Sequence, residues 1–342
     1  MAHLDIFSGD AFSCIEMTAA LNKVPYVPSY LGSKNIFVPK SIRTETADFE
    51  MVEGVISLVQ TSERGAPLAQ RANEKRTLRS QRTFRVAKGS KLRASELQNI
   101  RAFGSESELQ QVQAEAMARM VALRRDVDLT HENMRLGALQ GMLLDADGST
   151  LVNWFTFWGV SQPAEIDFDL DNASPASGAL KKLCNQVMRT MQKASKGAWT
   201  PGTYVEGLCG DAFYDDLTSH PEVRATYLNQ QAANSLREDY ANVYESFRYG
   251  GINWVNYRGT DDGSTVAVGT DKVKFYPAGS LEAFQHISSP GESFDFVNTP
   301  GQPFYAMQIP DKDRNQHVDL EVYSYPLFAA TRPEMLLRGK RT

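Results

Sequence analysis

The chain has 342 residues, of which 42% are apolar, 10% aromatic and 23% charged. That balance excludes wholesale disorder, collagen and a coiled-coil rod, and the length suggests two domains or one domain with large excursions. The net charge of −5 hides an asymmetry: the segment 64–93 holds ten basic residues against one acid, Glu74, so it carries about +9, and the remainder carries −14. A basic excursion on an acidic body is the pattern to explain.

No run of about 18 apolar residues is present to span a membrane, and the start at Met1 lacks the basic-then-apolar order of a signal peptide. Three widely spaced cysteines, Cys14, Cys184 and Cys209, read as reduced thiols with no disulfide framework. Five scattered histidines and no Cys-x-x-Cys or His-x-x-x-His pair give a zinc site little support. No metal and no cofactor is expected.

In chain order, residues 1–40 hold short apolar clusters broken by Pro25, Pro28 and Pro39, the pattern of an extended arm with one short helix near Ser13–Lys23. Alternation from Ile42 to Leu58 and again from Arg82 to Leu92, around the break Glu63-Arg64-Gly65-Ala66-Pro67, predicts a long two-stranded hairpin with a basic tip. So polar a hairpin needs a partner to be ordered. Its cations fit three uses: binding nucleic acid, a solvated surface, or lying on the acidic body of a neighbouring copy. The acidic remainder argues against DNA as the main partner.

A capping box at Ser105-Glu106-Ser107-Glu108 opens the longest helical pattern. Leu109, Val112, Ala116, Met120, Leu123, Val127, Met134 and Leu139 then repeat every three or four residues, with a slip near Thr130. Some 40 residues, over 105–144, make a helix of about 60 Å. Gly137 and Gly141 near its end mark close backbone packing. Residues 150–170 are rich in β-formers and predict strands, and Ala179–Ser195 predicts a second amphipathic helix through Leu180, Leu183, Val187 and Met191.

Motifs of known chemistry fail on inspection. Asp145-x-Asp147-Gly148 has its glycine at the wrong place for an EF-hand and reads as a turn. His131-Glu132-Asn-Met-Arg135 lacks the last ligand of a zinc helix and reads as a solvated face. Gly207-Leu-Cys209-Gly210 followed by His220 admits a thiol nucleophile, against the ordinary alternative of a buried structural thiol. Enzyme activity is not expected.

Six strings carry a resemblance. They are Thr61-Ser-Glu-Arg64-Gly65-Ala-Pro67; Leu143 to Gly159; Gly210 to Arg224, with Phe213, Leu217 and His220-Pro221; Tyr249 to Gly259; Val297 to Ala306; and Tyr325 to Pro333. In this order over nearly the whole chain, the sequence resembles the major capsid (head) proteins of tailed bacteriophages, the lambda head-protein E family. One string departs: Pro277-Ala278-Gly279-Ser280 stands where the family expects a Gly-Val-type turn.

The resemblance implies an α+β chain of the HK97-type phage capsid fold. Its parts would be an N-terminal arm over 1–40, an extended hairpin loop (E-loop) over 41–93, a peripheral domain over 94–175 plus 318–342 with the spine helix 105–144, and an axial domain over 176–317. The implied function is a structural major capsid protein. It would self-assemble into hexamers and pentamers that form the icosahedral head around packaged double-stranded DNA, in the virion, after assembly in the host cytoplasm. Its partners would be itself, a decoration protein seated near the arm and hairpin, a separate scaffolding protein (expected from the start at Met1 with no helical pre-segment) and the portal. DNA would be contacted weakly and without sequence preference, and no membrane is involved. Arg64, Arg71, Lys75, Arg76, Arg79, Arg82 and Arg85 are the expected inter-subunit contacts. The alternative reading is a cytosolic nucleic-acid-binding protein that uses the basic hairpin 64–93.

Overall fold

The computed structural model describes residues 13–23, 30–53, 75–98, 107–172, 174–229, 246–259, 266–280, 282–314 and 316–342. The first helix, α1 (Cys14–Lys23), falls where the arm was expected to hold one, with Met17, Thr18 and Leu21 buried on one face. A single turn, α2 (Tyr30–Ser33), and the strand β1 (Val38–Ser41) follow.

β2 (Thr46–Glu53) and β3 (Lys75–Arg82) form the described part of the hairpin, antiparallel from Thr46↔Arg82 to Glu53↔Lys75. Its second arm therefore lies before Arg82 and not after it. The chain turns at Thr83, and β4 (Val86–Arg93) leaves the hairpin to pair with β14 (His317–Ser324) along eight residues. The physical cause is that the backbone N–H of Phe84 is taken by Pro326 O at 3.1 Å, which draws the chain into the body. Arg64, Arg71 and the Thr61–Pro67 string lie outside the described residues.

After α3 (Ala94–Gln98) comes the long helix α4 (Ser107–Leu139), 33 residues and about 50 Å. It ends five residues before the expected boundary because Gly141 sits at φ +78, where a Cβ would collide with the Phe155 ring. The chain reverses there into β5 (Met142–Leu144), which pairs with β6 (Thr150–Asn153) across the Asp145–Ser149 turn. The expected capping box at 105–108 lies outside the described residues.

The aromatic run expected to be strand is a helix, α5 (Trp154–Trp158). The Asn153 side chain accepts from the N–H groups of Phe155 and Thr156 at 3.0 and 3.2 Å, and Gly159 closes the other end at φ +70. Capping and burial of Trp154, Phe155 and Trp158 override the β propensity of the run.

Beyond β7 (Ile166–Asp167), α6 (Ala179–Ala194) buries Leu180, Cys184, Val187 and Met191. β8 (Tyr204–Cys209), α7 (Asp211–Ser219) and α8 (Pro221–Asn229) follow, and then β9 (Ser246–Tyr249) and β10 (Ile252–Asn256). Gly250 turns β9 into β10 at φ +62, where a Cβ would stand 2.6 Å from Cys184 Cβ, so only glycine lets this turn close on α6.

The remaining strands are β11 (Lys272–Ala278), β12 (Phe284–Ser288), β13 (Tyr305–Pro310), β14, β15 (Pro326–Ala330) and β16 (Leu337–Lys340). A six-stranded mixed sheet runs β7-β16-β11-β8-β10-β9, and two three-stranded sheets run β1-β12-β15 and β13-β14-β4. The last strand, from the 318–342 segment, thus lies in the sheet built mainly by the 176–317 segment.

Three main cores result. One joins the hairpin root, α5, β12 and β15; the second lies between the six-stranded sheet and α6–α7; the third packs α1 and α4 on β4, β13 and β14.

Candidate functional site: assembly surfaces

The hairpin is held at its root by one ring. In β2 the side chains alternate, with Ala47 and Phe49 buried and Asp48 and Glu50 exposed. Phe49 meets Trp154, Phe157 and Trp158 edge-on, at centroid separations of 6.0, 5.8 and 5.9 Å. Edge-to-face aromatic pairs of this kind contribute about 0.5–1.5 kcal/mol each beyond area burial. The tryptophan- and phenylalanine-rich α5 is therefore a socket that fixes where the hairpin leaves the body.

The candidate contact residues divide along the register. Lys75 and Arg76 open β3 opposite Glu53 and Val52. Arg79 stands opposite Phe49 on the inward face, and its Nη2 is 3.4 Å from the point a Cβ on Gly159 would occupy. Arg82 is exposed and bonded to the exposed Glu45 at 2.8 Å. Arg85 reaches Glu292 at 3.4 Å and lies over the Tyr323 ring at 5.0 Å. Exposed ion pairs contribute about 0–1 kcal/mol, so Arg82 is readily handed to another carboxylate. Thr77, Leu78 and Ser80 complete the exposed part of β3.

A second feature was invisible in sequence. Two fully buried carboxylates pin residues 30–34 between α4 and the six-stranded sheet. Glu132 accepts from the N–H of Leu31 at 2.8 Å, of Gly32 at 3.2 Å and from the Tyr257 hydroxyl at 3.2 Å, and pairs with Arg135 at 3.3 Å. Glu206 in β8 accepts from the hydroxyls of Tyr30 and, at 3.0 Å, Tyr276, and from Asn253 Nδ2 at 3.3 Å, with Lys34 Nζ at 3.7 Å. Buried carboxylates with this many donors hold geometry rather than perform chemistry. Residues 30–34 are thereby joined to both layers at one place.

The expected solvated face at His131 and Glu132 is buried instead. His131 stacks on Phe304 at 5.4 Å and faces His286 at 6.0 Å, while His286 stacks on Phe328 at 4.4 Å. Arg124 and Arg135 cover Phe304 and Phe328. Burial, and then Arg135, hold both imidazoles neutral: His131 well below its usual value and His286 down to about 3. The helical period put these residues on a polar stripe, but here that stripe faces β12 and β15.

Cys209 is buried at the end of β8, and burial pushes its thiol well above the usual value. His220 Nδ1 accepts from the N–H of Glu222 at 3.3 Å. A thiolate is thus disfavoured at Cys209 and the imidazole is engaged elsewhere. Among the described residues there is no group of three or more His, Cys, Asp or Glu side chains that could hold a metal ion, and no helix is long and apolar enough to cross a membrane.

A long helix lying on a sheet, a hairpin that leaves the body and a mixed six-stranded sheet define a phage-shell subunit of the HK97-type fold. A solved prophage capsid protein from Escherichia coli CFT073 matches it with a TM-score of 0.61 at 12% identity, covering 96% of this chain and 99% of that one. The major capsid protein of Salmonella phage Felix O1 is 25% identical over 355 residues, 95% of each chain. The model of the family described as phage major capsid protein E matches residues 13–341. The chain belongs to that family: it is a major capsid protein, a structural subunit of an icosahedral phage head, and its place is the virion capsid. Nothing in these comparisons supports the nucleic-acid-binding alternative.

Proposed function

We propose that the chain assembles as hexamers and pentamers around packaged double-stranded DNA, with the basic hairpin as the reaching element. Residues 1–40 act as the arm and 41–93 carry the extended loop, with β2 and β3 as its strands before β4 returns to the body. Residues 94–175 with 318–342 act as the peripheral domain and 176–317 as the axial domain, β16 crossing into the sheet of the latter. Arg64, Arg71, Lys75, Arg76, Arg79, Arg82 and Arg85 pair with carboxylates of adjacent copies. The carrying observation is the hairpin root. Phe49 is locked into the α5 socket, while the opposite face, with Leu78 and Arg82, has no covering element of its own among the described residues. A stiffly mounted, uncovered basic ribbon on an acidic body suits electrostatic docking between copies.

The work of the protein is mechanical, with no catalytic step. A separate scaffolding protein, a decoration protein and a portal complete the head. DNA inside meets little basic surface, so its contact is weak and independent of sequence.

The test is the double variant Arg79→Glu/Arg82→Glu, followed by sedimentation and negative-stain electron microscopy. Loss of shells with a folded, soluble chain supports the hairpin contacts. Normal shells contradict them.

A further inference from the structure

Among the described residues, seven large hydrophobic side chains are exposed. Phe294 is the extreme case, 96% exposed, with Val297 at 57% three residues on. Ile15, also 57% exposed, follows Cys14, which packs against the Phe296, Tyr305 and Tyr325 cluster beneath the same turn. Three of the seven therefore gather at one corner of the molecule.

This corner is built rather than loose. Ser293 Oγ accepts from the N–H of Asp295 at 3.3 Å, and the Phe296 N–H bonds Ser293 O at 3.0 Å. Phe296 is buried against Tyr305 at 4.7 Å between centroids, and Thr299 donates to Phe296 O at 2.7 Å. Gly301 N–H bonds Ile42 O at 2.8 Å, which ties the loop to the foot of the hairpin. A rigid aromatic that projects into water loses little conformational entropy on docking. Aromatic anchors that become buried on docking dominate protein interfaces.

The flanks of Phe294 say what covers it. Glu292 and Asp295, both exposed, flank it in sequence. Glu292 pairs with Arg85 of the same copy at 3.4 Å and Asp295 accepts from Ser293 Oγ at 3.1 Å, so Asp295 is the acid left without a cation beside the apolar knob among the described residues. The outward face of β3 has the complementary character: Leu78, 67% exposed, with Arg82 four residues along on the same face. Being this exposed, neither Leu78 nor Phe294 is covered within its own copy.

We propose that the Phe294 corner is the seat for the hairpin of a second copy, with Leu78 packing on Phe294 and Val297, and Arg82 moving from Glu45 to Asp295 beside Phe294. The two surfaces lie on different parts of one chain, so the contact is heterologous and repeats from copy to copy until a ring closes. The proposal rests on the assembly reading above and names the surface that receives the hairpin.

The test places p-benzoylphenylalanine at position 294 of the full chain and assembles it into shells diluted one part in ten with unsubstituted chain. After irradiation, crosslinked peptides are mapped. The expected product joins position 294 to residues 75–82 of another copy, and its yield falls at least tenfold when the diluting chain carries Leu78→Asp but stays within twofold with Leu78→Met. Crosslinks to any other segment or to another protein, or none in well-formed shells, overturn the seat and leave assembly standing. Failure of the unsubstituted chain to form shells with its head partners overturns the assembly reading itself.

Discussion

The Phe49 ring meets Trp154 edge-on at 6.0 Å and 74°, and through that contact a strand that reaches away from the body is fixed to a five-residue helix within it. Phe49 is buried, and the same ring touches Phe157 and Trp158. The root of the hairpin is therefore fixed by core packing.

Phe49→Ala is expected to cost about 3–5 kcal/mol, the usual range for truncating a buried aromatic. Urea unfolding measures the loss, and amide exchange is expected to rise along 46–49 while α6 keeps its protection. Phe49→Leu, which keeps apolar volume, is expected to cost less than half as much. Equal exchange in both segments would show that the socket does not set the hairpin.

Glu132 carries a different kind of load. Its removal leaves the N–H groups of Leu31 and Gly32 and the Arg135 guanidinium without their buried acceptor. Breaking such a pair from one side costs about 3–5 kcal/mol. Glu132→Ala is thus expected to lower the melting temperature by many degrees, and Glu132→Gln, which still accepts two hydrogen bonds, by less. Amide exchange at Leu31 and Gly32 reports the lesion directly.

Much of the fold was legible in sequence, and the exceptions share a cause. Helices α1 and α6 and the Asp145–Ser149 turn are set by local periodicity and turn residues, which a sequence displays. The Trp154–Trp158 run reads as strand because aromatics favour strands on average, yet the Asn153 cap and the demand to bury three rings decide otherwise. The β4–β14 pairing joins segments more than 220 residues apart, and Glu132 meets Leu31 across 101 residues. Nothing local marks such partners. The same holds for His131, which reads as part of a solvated face until His286 and Phe328 close over it. The overall family was readable because six short strings keep their order, whereas the Phe294 corner is defined by exposure, a property of the surface alone.

The histidine pair makes stability depend on pH with a definite sign. In the unfolded chain an imidazole titrates near 6.5, whereas His286 is pushed down to about 3 and His131 well below its usual value. Protons therefore bind the unfolded chain preferentially as pH falls below about 6.5. The contribution to stability is complete above that value and is lost at up to about 1.4 kcal/mol per pH unit for each imidazole, down to its folded value. The charged groups that act on the pair are Arg135 and, on His131, Arg124, with Phe304 and Phe328 against the rings. Carboxylate protonation adds its own loss below about pH 5. The slope of unfolding free energy between pH 6.5 and 5 is expected to fall by about half in His286→Asn. An unchanged slope would show that His286 is not buried neutral.

The central claim is that the chain builds closed shells from copies of itself, and the most direct measurement is negative-stain electron microscopy with light scattering. The protein is expressed alone and then together with the products of its neighbouring genes. Uniform closed particles, or rings of five and six copies that convert to particles when the partners are present, are the predicted result. A chain that stays monomeric in both conditions, folded and soluble, would contradict the account.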